Sequence, residues 1–237
     1  MEERKLIKFG KSAYCITLPH AWLKKNQIVK GDSVAIQETL RNSLEIIPTN
    51  LTHDEKHELT LDISEKATNE IIQLLLAAYL NGYNTIILQG PNSGKIAFVR
   101  KHVHEFIAAE IMEATSNKIV INIFWDVKSI NLQSIITRIG HITRSIFAET
   151  IEMMDEEINS KDIIEKGFEV QRQVLLARRA IKYALNNSAT AQKFNLSSLE
   201  LLYISYIIYF FGSVGEYIVK TARILTRSKV GKFKDVL

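Results

Sequence analysis

Residues 3–36 read ERKLIKFGKSAYCITLPHAWLKKNQIVKGDSVAI, and the architecture of the chain turns on them. Arg4, Leu6 and Lys8 lead into Phe9-Gly10-Lys11, where Gly10 permits a tight turn. Tyr14, Ile16 and Leu18 then alternate with Ala13, Cys15 and Thr17, the period of a half-buried strand. Pro19 has no N–H to give to a ladder and ends that strand. Ala21-Trp22-Leu23 opens a short helix with Lys24 and Lys25 on its polar side. Gly31-Asp32 marks a turn, Val34 and Ile36 resume the alternation, and Leu44–Ile46 closes the unit. About fifty residues of short strands cannot bury a sufficient core alone, so a second chain is expected on physical grounds.

Residues 1–30 carry seven Lys and Arg (positions 4, 5, 8, 11, 24, 25 and 30) against two Glu, a net +5, whereas all 237 residues sum to +4. Charge alone fits a solvated lysine surface better than a nucleic-acid face. The strand–turn pattern reverses that order, and two copies would double the patch available for phosphate contacts.

This stretch resembles the SpoVT/AbrB-type (MazE-like) DNA-binding domain, in which a β-rich half interlocks with its copy from another chain. The resemblance implies a homodimer that lays basic residues on DNA. It places Arg4 and Lys5 at the paired basic positions of the first strand. Lys11 falls after Gly10, where the family has a Gly-Arg turn, and Lys24-Lys25 where it has a basic pair after the proline turn. Lysine at position 11 keeps charge but loses bidentate geometry. Arg4, Lys5, Lys8 and Lys11 are therefore the first candidates for DNA contact, and Lys24 and Lys25 the second.

The length allows two or three units. Three prolines and no low-complexity tract argue against disorder. Cys15 is the sole cysteine, which excludes an intrachain disulfide and a cysteine-rich zinc site, fits a reducing cytoplasm, and reads as a small buried hydrophobe. The charged N-terminus has no apolar signal-peptide core. Leu201–Gly215 is uncharged but short for a membrane span and flanked by Glu200 and Glu216, so it reads as a buried helix without membrane insertion.

The expected fold class is α+β and multidomain: a swapped-hairpin β domain over 1–50, an α/β region over 51–126, and an antiparallel helical bundle over 127–237. The polar run Thr52–Glu58 marks the crossing out of the first unit. Leu59–Ile63 alternates as a strand, Ser64-Glu65 opens a helix that ends before Gly82, and Thr85–Leu88 is an apolar strand. A helix over Ile96–Met112 and a strand over Lys118–Phe124 complete an α/β order. Ile135, Ile139, Ile142 and Ile146 then recur at helical spacing. So do Val170, Val174, Ala177, Ile181 and Ala184, and again Ile204, Ile208, Phe211, Gly215, Ile218, Ala222 and Leu225. Breaks near Asn159-Ser160 and Asn186–Ser188 predict three long helices packed antiparallel.

Residues 55–230 resemble archaeal-type phosphate-uptake regulators, which join an AbrB-like domain to a PhoU-like bundle. The likeness lies in Tyr79–Tyr83 before the apolar strand, in Glu110…Glu113-Ala114-Thr115, and in the order of the bundle helices. It implies a transcriptional regulator of phosphate uptake. PhoU-like bundles carry acidic clusters one helical turn apart that hold metals. Here the expected acids are replaced by Gly167, Gln171 and Gly212, a basic residue by Ser213, and only Glu165, Glu169 and Glu216 remain. Solvated helix charge is the simpler reading, and no metal or other cofactor is expected.

Gly90–Lys95 has three residues between its glycines and Ile96 after the lysine, so it is not a Walker A loop, and Asn92 or Ser93 as a helix N-cap accounts for it. His20, His53, His57, His102, His104 and His141 form no catalytic spacing, and an enzyme is the least expected class. The aromatic run Tyr203, Tyr206, Tyr209, Phe210, Phe211 reads as bundle core plus a self-association face, with a ligand pocket as the alternative. Thr226–Lys234 reads as a frayed basic tail. Two other functions stay open. One is a signalling adaptor whose bundle binds a transporter or sensor kinase. The other is an antitoxin-like protein, disfavoured by the size of its second half.

Overall fold

The computed structural model describes residues 3–38, 42–48, 58–126, 129–154 and 160–228. Most of the 52–58 crossing, His53, His57, Asn159 and the tail beyond Ser228 lie outside the described residues. The chain is a mixed α+β protein with small sheets at its N-terminal end and a helical region at its C-terminal end. Its contacts divide it into two compact units, Met1–Glu55 and Lys56–Leu237. The sequence-derived division at 126/127 falls inside the second.

In the first unit, β1 (Ile7–Phe9) pairs antiparallel with β2 (Ala13–Cys15), matching Ile7 with Cys15 and Lys8 with Tyr14. Helix α1 (His20–Lys25) starts behind Pro19, whose carbonyl accepts from the N–H groups of Trp22 and Leu23 at 3.0 and 3.1 Å. Asp32 Oδ2 accepts from the Val29 N–H at 2.8 Å and shapes the turn into β3 (Val34–Glu38), which pairs antiparallel with β4 (Leu44–Pro48). The two hairpins form separate two-stranded sheets. Expected burial fails here: β2 is a three-residue strand, exposed throughout, and Cys15 is an exposed thiol, not a buried hydrophobe. Pairing satisfies the backbone, but among the described residues the side chains of β1 and β2 stay exposed.

The second unit begins with β5 (Glu58–Asp62), crosses through α2 (Thr68–Leu80) and returns as β6 (Thr85–Gln89), parallel to β5. Asp62 Oδ1 accepts from the Ser64 N–H and hydroxyl at 2.9 and 2.7 Å, so Ser64 lies in a turn and α2 starts later than expected, at Thr68. At its other end the Gly82 N–H donates to Tyr79 O at 3.1 Å and the Tyr83 N–H to Ala78 O at 3.2 Å. This is a Schellman closure that needs the positive φ of 90° at Gly82.

Helix α3 (Lys95–Val103) is shorter than the predicted 96–112. Residues 109–114 form β7 (Ala109–Ala114) instead, hairpinned onto β8 (Lys118–Ile123), after Ala108 turns the chain at φ 67°. Ala, Glu and Met are good helix formers, but pairing with β8 overrides that preference. The sheet order is β5-β6-β8-β7, parallel only between β5 and β6. Ile119, Ile121 and Ile123 alternate inward and meet Ile86, Leu88, Ile71, Leu75 and Val99 in one core.

Four helices follow: α4 (Leu132–Glu152), α5 (Ser160–Asn186), the short α6 (Ser188–Phe194), which the sequence reading did not foresee, and α7 (Ser198–Ser228). Contacts run in opposite directions along α5 and α7. Gly167 faces Val219, Val170 faces Gly215 and Val174 faces Gly212, so the pair is antiparallel. Ile139, Ile146, Val170, Val174, Ala177, Ile181, Ile208 and Ala222 form the second core. Among the apolar positions read as core, those of α5 are all buried.

A side chain on Gly167 would collide with the Val219 side chain. Gly167→Ala is therefore expected to lower stability by about 1–3 kcal/mol, despite alanine's better helix propensity. The check is a urea midpoint, and a rise would show that the two helices can part at no cost.

Three carboxylates set an acid limit. Asp62 lies below its usual 3.8 because the Ser64 side chain and backbone donate to it, and Glu200 lies below 4.5 through the Ser197 N–H and hydroxyl. Burial raises Glu149, but donation from Lys166 and Ser145 outweighs it and the net shift is downward from 4.5. Folded values below unfolded ones mean stability that is full above about pH 4.5 and lost as pH falls through the lowered folded values. Urea midpoints should hold from about pH 7 to 5 and drop below that, and Glu149→Gln should flatten part of the drop.

Candidate nucleic-acid interface

The hairpin β1–β2 fixes how its side chains divide. Directly paired residues share a face, so Lys8 lies with Tyr14, while Ile7, Phe9, Ala13 and Cys15 lie on the other side. Lys11 sits in the connecting turn. Arg4 and Lys5 precede β1, which starts at Ile7, so they belong to the approach to the first strand and not to the strand itself. Lys24 and Lys25 occupy the last turn of α1, where cations are favoured by the helix's partial negative end. All six basic side chains are exposed. Lys8 and Lys11 come together on one hairpin, and Lys24 and Lys25 form a separate pair on one helix end.

The apolar side chains of this unit are the feature the sequence reading understated. Leu6, Ile7, Phe9, Tyr14, Ile16, Val29, Ile36 and Leu44 are between 51% and 71% exposed. Pro48 is the only buried residue among those described in this unit. A segment with two ladders and no core has its backbone bonds but not its hydrophobic stabilisation.

The other candidate sites resolve into packing. Gly167, Gln171 and Gly212, where acids were sought, are a helix–helix contact in which the Gln171 side-chain amide donates to Gly212 O at 2.7 Å. Glu169 meets Arg138 and Arg172 at 3.1 and 3.3 Å and accepts from Gln173 at 2.7 Å. Glu165 pairs with Lys161 at 4.0 Å and Glu216 with Lys220 at 2.7 Å. Among the described residues no three His, Cys, Asp or Glu side chains gather. In the Gly90–Lys95 loop, neither Asn92 nor Ser93 caps α3, because the residue before the helix is Gly94. Asn92 is buried and donates to Thr115 O at 2.5 Å, and Lys95 Nζ donates to Ile63 O at 2.6 Å. The lysine that would hold a phosphate is engaged with backbone carbonyls.

Leu201–Gly215 departs most from expectation. One side of α7 is buried, but Leu202, Tyr203, Tyr206, Ile207, Tyr209, Phe210 and Val214 are exposed. Ser198–Thr226 is long and apolar enough to cross a membrane by length and composition. It is thus a two-faced helix and not a buried one. Compared with known proteins, the chain matches no family model, no curated protein and no solved structure.

Proposed function

We propose that this chain is a cytoplasmic transcriptional regulator that binds DNA as a homodimer through residues 1–50, in the manner of the SpoVT/AbrB domain it resembles. One observation carries the reading. The N-terminal unit exposes apolar residues on both hairpins, and its first thirty residues carry a net +5 against the +4 of the whole chain. Interlocking with a second copy would bury Ile7, Phe9, Ile16, Ile36 and Leu44 and bring two sets of Arg4, Lys5, Lys8 and Lys11 to one surface. Phosphate contacts then supply affinity and register, and base contacts supply specificity. The helical region, read as a PhoU-like bundle, senses the signal or partner, and phosphate uptake is the regulated process that the resemblance implies.

The test is fluorescence anisotropy of the full chain against its own upstream DNA and a scrambled duplex over a salt series. Preference for the first duplex with a steep salt dependence supports the regulator. Weak, equal binding to both overturns it in favour of an adaptor whose bundle meets a transporter or kinase.

A further inference from the structure

The outward face of α7 carries a strict seven-residue repeat. Tyr203, Phe210, Tyr217 and Ile224 recur at that interval and are 57%, 63%, 68% and 65% exposed. Leu199, Tyr206, Ser213 and Lys220 fall between them at alternating steps of four and three. On the opposite side Leu201, Ile208, Gly215 and Ala222 recur at the same interval and are buried in the protein's own bundle. A 3.5-residue mean spacing is the seam of one helix against another. The inner seam packs into the protein's own bundle, whereas the outer one is exposed to solvent.

We propose that the outer seam of α7 pairs antiparallel with α7 of a second copy, forming a self-association surface separate from the N-terminal one and independent of the DNA-binding reading. Among its self-complementary registers, one pairs all eight seam positions. There Leu199 meets Ile224 of the second copy, Tyr206 meets Tyr217, Phe210 meets Ser213 and Tyr203 meets Lys220. Each pair repeats across the two-fold axis, as an isologous contact requires. Phe210 gains a small residue opposite it, and Lys220 lies over an aromatic ring, where a cation is attracted. Ile207 and Val214 meet along one flank. A parallel arrangement would instead set Lys220 against its own copy within the seam.

The size also fits. Tyr203, Tyr206, Tyr209, Phe210 and Tyr217 are each more than half exposed. At roughly 150–250 Å² per aromatic, they offer on the order of 500–700 Å². The aliphatic neighbours raise this to the ~800 Å² per partner of a standard interface. A membrane is the poorer occupant, because Lys220 lies within the seam with Glu216 beside it, and the opposite seam is already committed to protein.

The experiment uses full-length chains in a Cys15→Ser background, which has no other thiol. Tyr206→Cys and Tyr217→Cys are expressed singly and together from two genes, then treated with a short thiol–thiol cross-linker. The co-expressed pair is expected to give a covalent dimer and each single variant none, since like positions lie roughly 16 Å apart along the axis at 1.5 Å per residue. Both side chains are exposed, so the bundle is left intact, and Leu199→Cys with Ile224→Cys gives a second, independent pair. Cross-linking of each single variant alone overturns the antiparallel register. No cross-link in either pair overturns self-pairing, and co-sedimentation with anionic vesicles would then assign the face to lipid. Binding to DNA is scored separately, so failure here leaves the N-terminal reading standing.

Discussion

Arg179→Ala is expected to cost about 3–5 kcal/mol of stability, a large part of the 5–15 kcal/mol typical of a folded protein. Arg179 is fully buried, on α5, and its partners lie about a hundred residues away. Its guanidinium donates to Tyr79 O, to Tyr83 O at 3.1 Å and to Asn84 Oδ1 at 2.9 Å, and it lies 4.9 and 4.8 Å from the ring centres of Tyr79 and Trp125. Tyr79 and Tyr83 bracket the C-terminal end of α2, where carbonyls are left over and the helix dipole is negative. The buried cation thus closes the end of one helix from another and pins α5 to the sheet layer. Burial pulls its pKa down to about 10, so it stays charged at neutral pH. Alanine would leave those carbonyls without a donor and open a cavity between two aromatic rings. Arg179→Lys keeps charge but has no planar fork, and should recover only part of the loss. The measurement is urea unfolding followed by Trp125 fluorescence in a Trp22→Phe background. A change below about 1 kcal/mol would show that water replaces the guanidinium.

None of this was legible in the sequence. An arginine between Ala177 and Ala180 on an amphipathic helix reads as solvated until α2 is placed against it. Local signals fared unevenly: Gly82 closed α2 where a positive φ is required, whereas β2 ended at Cys15, short of Pro19, which instead stands before α1. Spacing also picked out the buried stripe of α5. The failures share a cause. Glu110–Ala114 has helical propensity and becomes a strand only because β8 is there to pair with it. Cys15 reads as buried because alternation speaks of a sheet's faces and not of what covers them. On α7 the aromatic run was read as core plus a self-association face, but the stretch Leu201–Gly215 was also read as buried, since composition cannot say which side of a helix meets its own chain. As for the basic residues, the sequence located Lys8, Lys11, Lys24 and Lys25 on turns and short elements. It misplaced the start of the first strand relative to Arg4 and Lys5.

Neutralising Arg4, Lys5 and Lys11 together as glutamines is expected to weaken DNA binding by on the order of 100-fold or more near physiological salt. In the proposed dimer six charges would be lost, and each lost phosphate contact removes about 0.9 from the log–log salt slope, so the slope should flatten by up to ~5. The loss should be similar on specific and scrambled DNA if these residues contact phosphate, and larger on specific DNA if any reads a base edge. Lys24→Gln with Lys25→Gln should do less, since that pair stands apart on the end of α1. Lys11→Arg separates charge from geometry: affinity should hold, and preference for the specific duplex should sharpen if the turn faces a guanine, because only arginine offers two parallel donors. All the substituted side chains are exposed, so urea midpoints should stay at the wild-type value and the readout is binding alone. A folded triple variant with unchanged affinity and slope would take these three residues out of the interface. The exposed apolar faces of the two hairpins would then be a dimerisation device with no role on DNA.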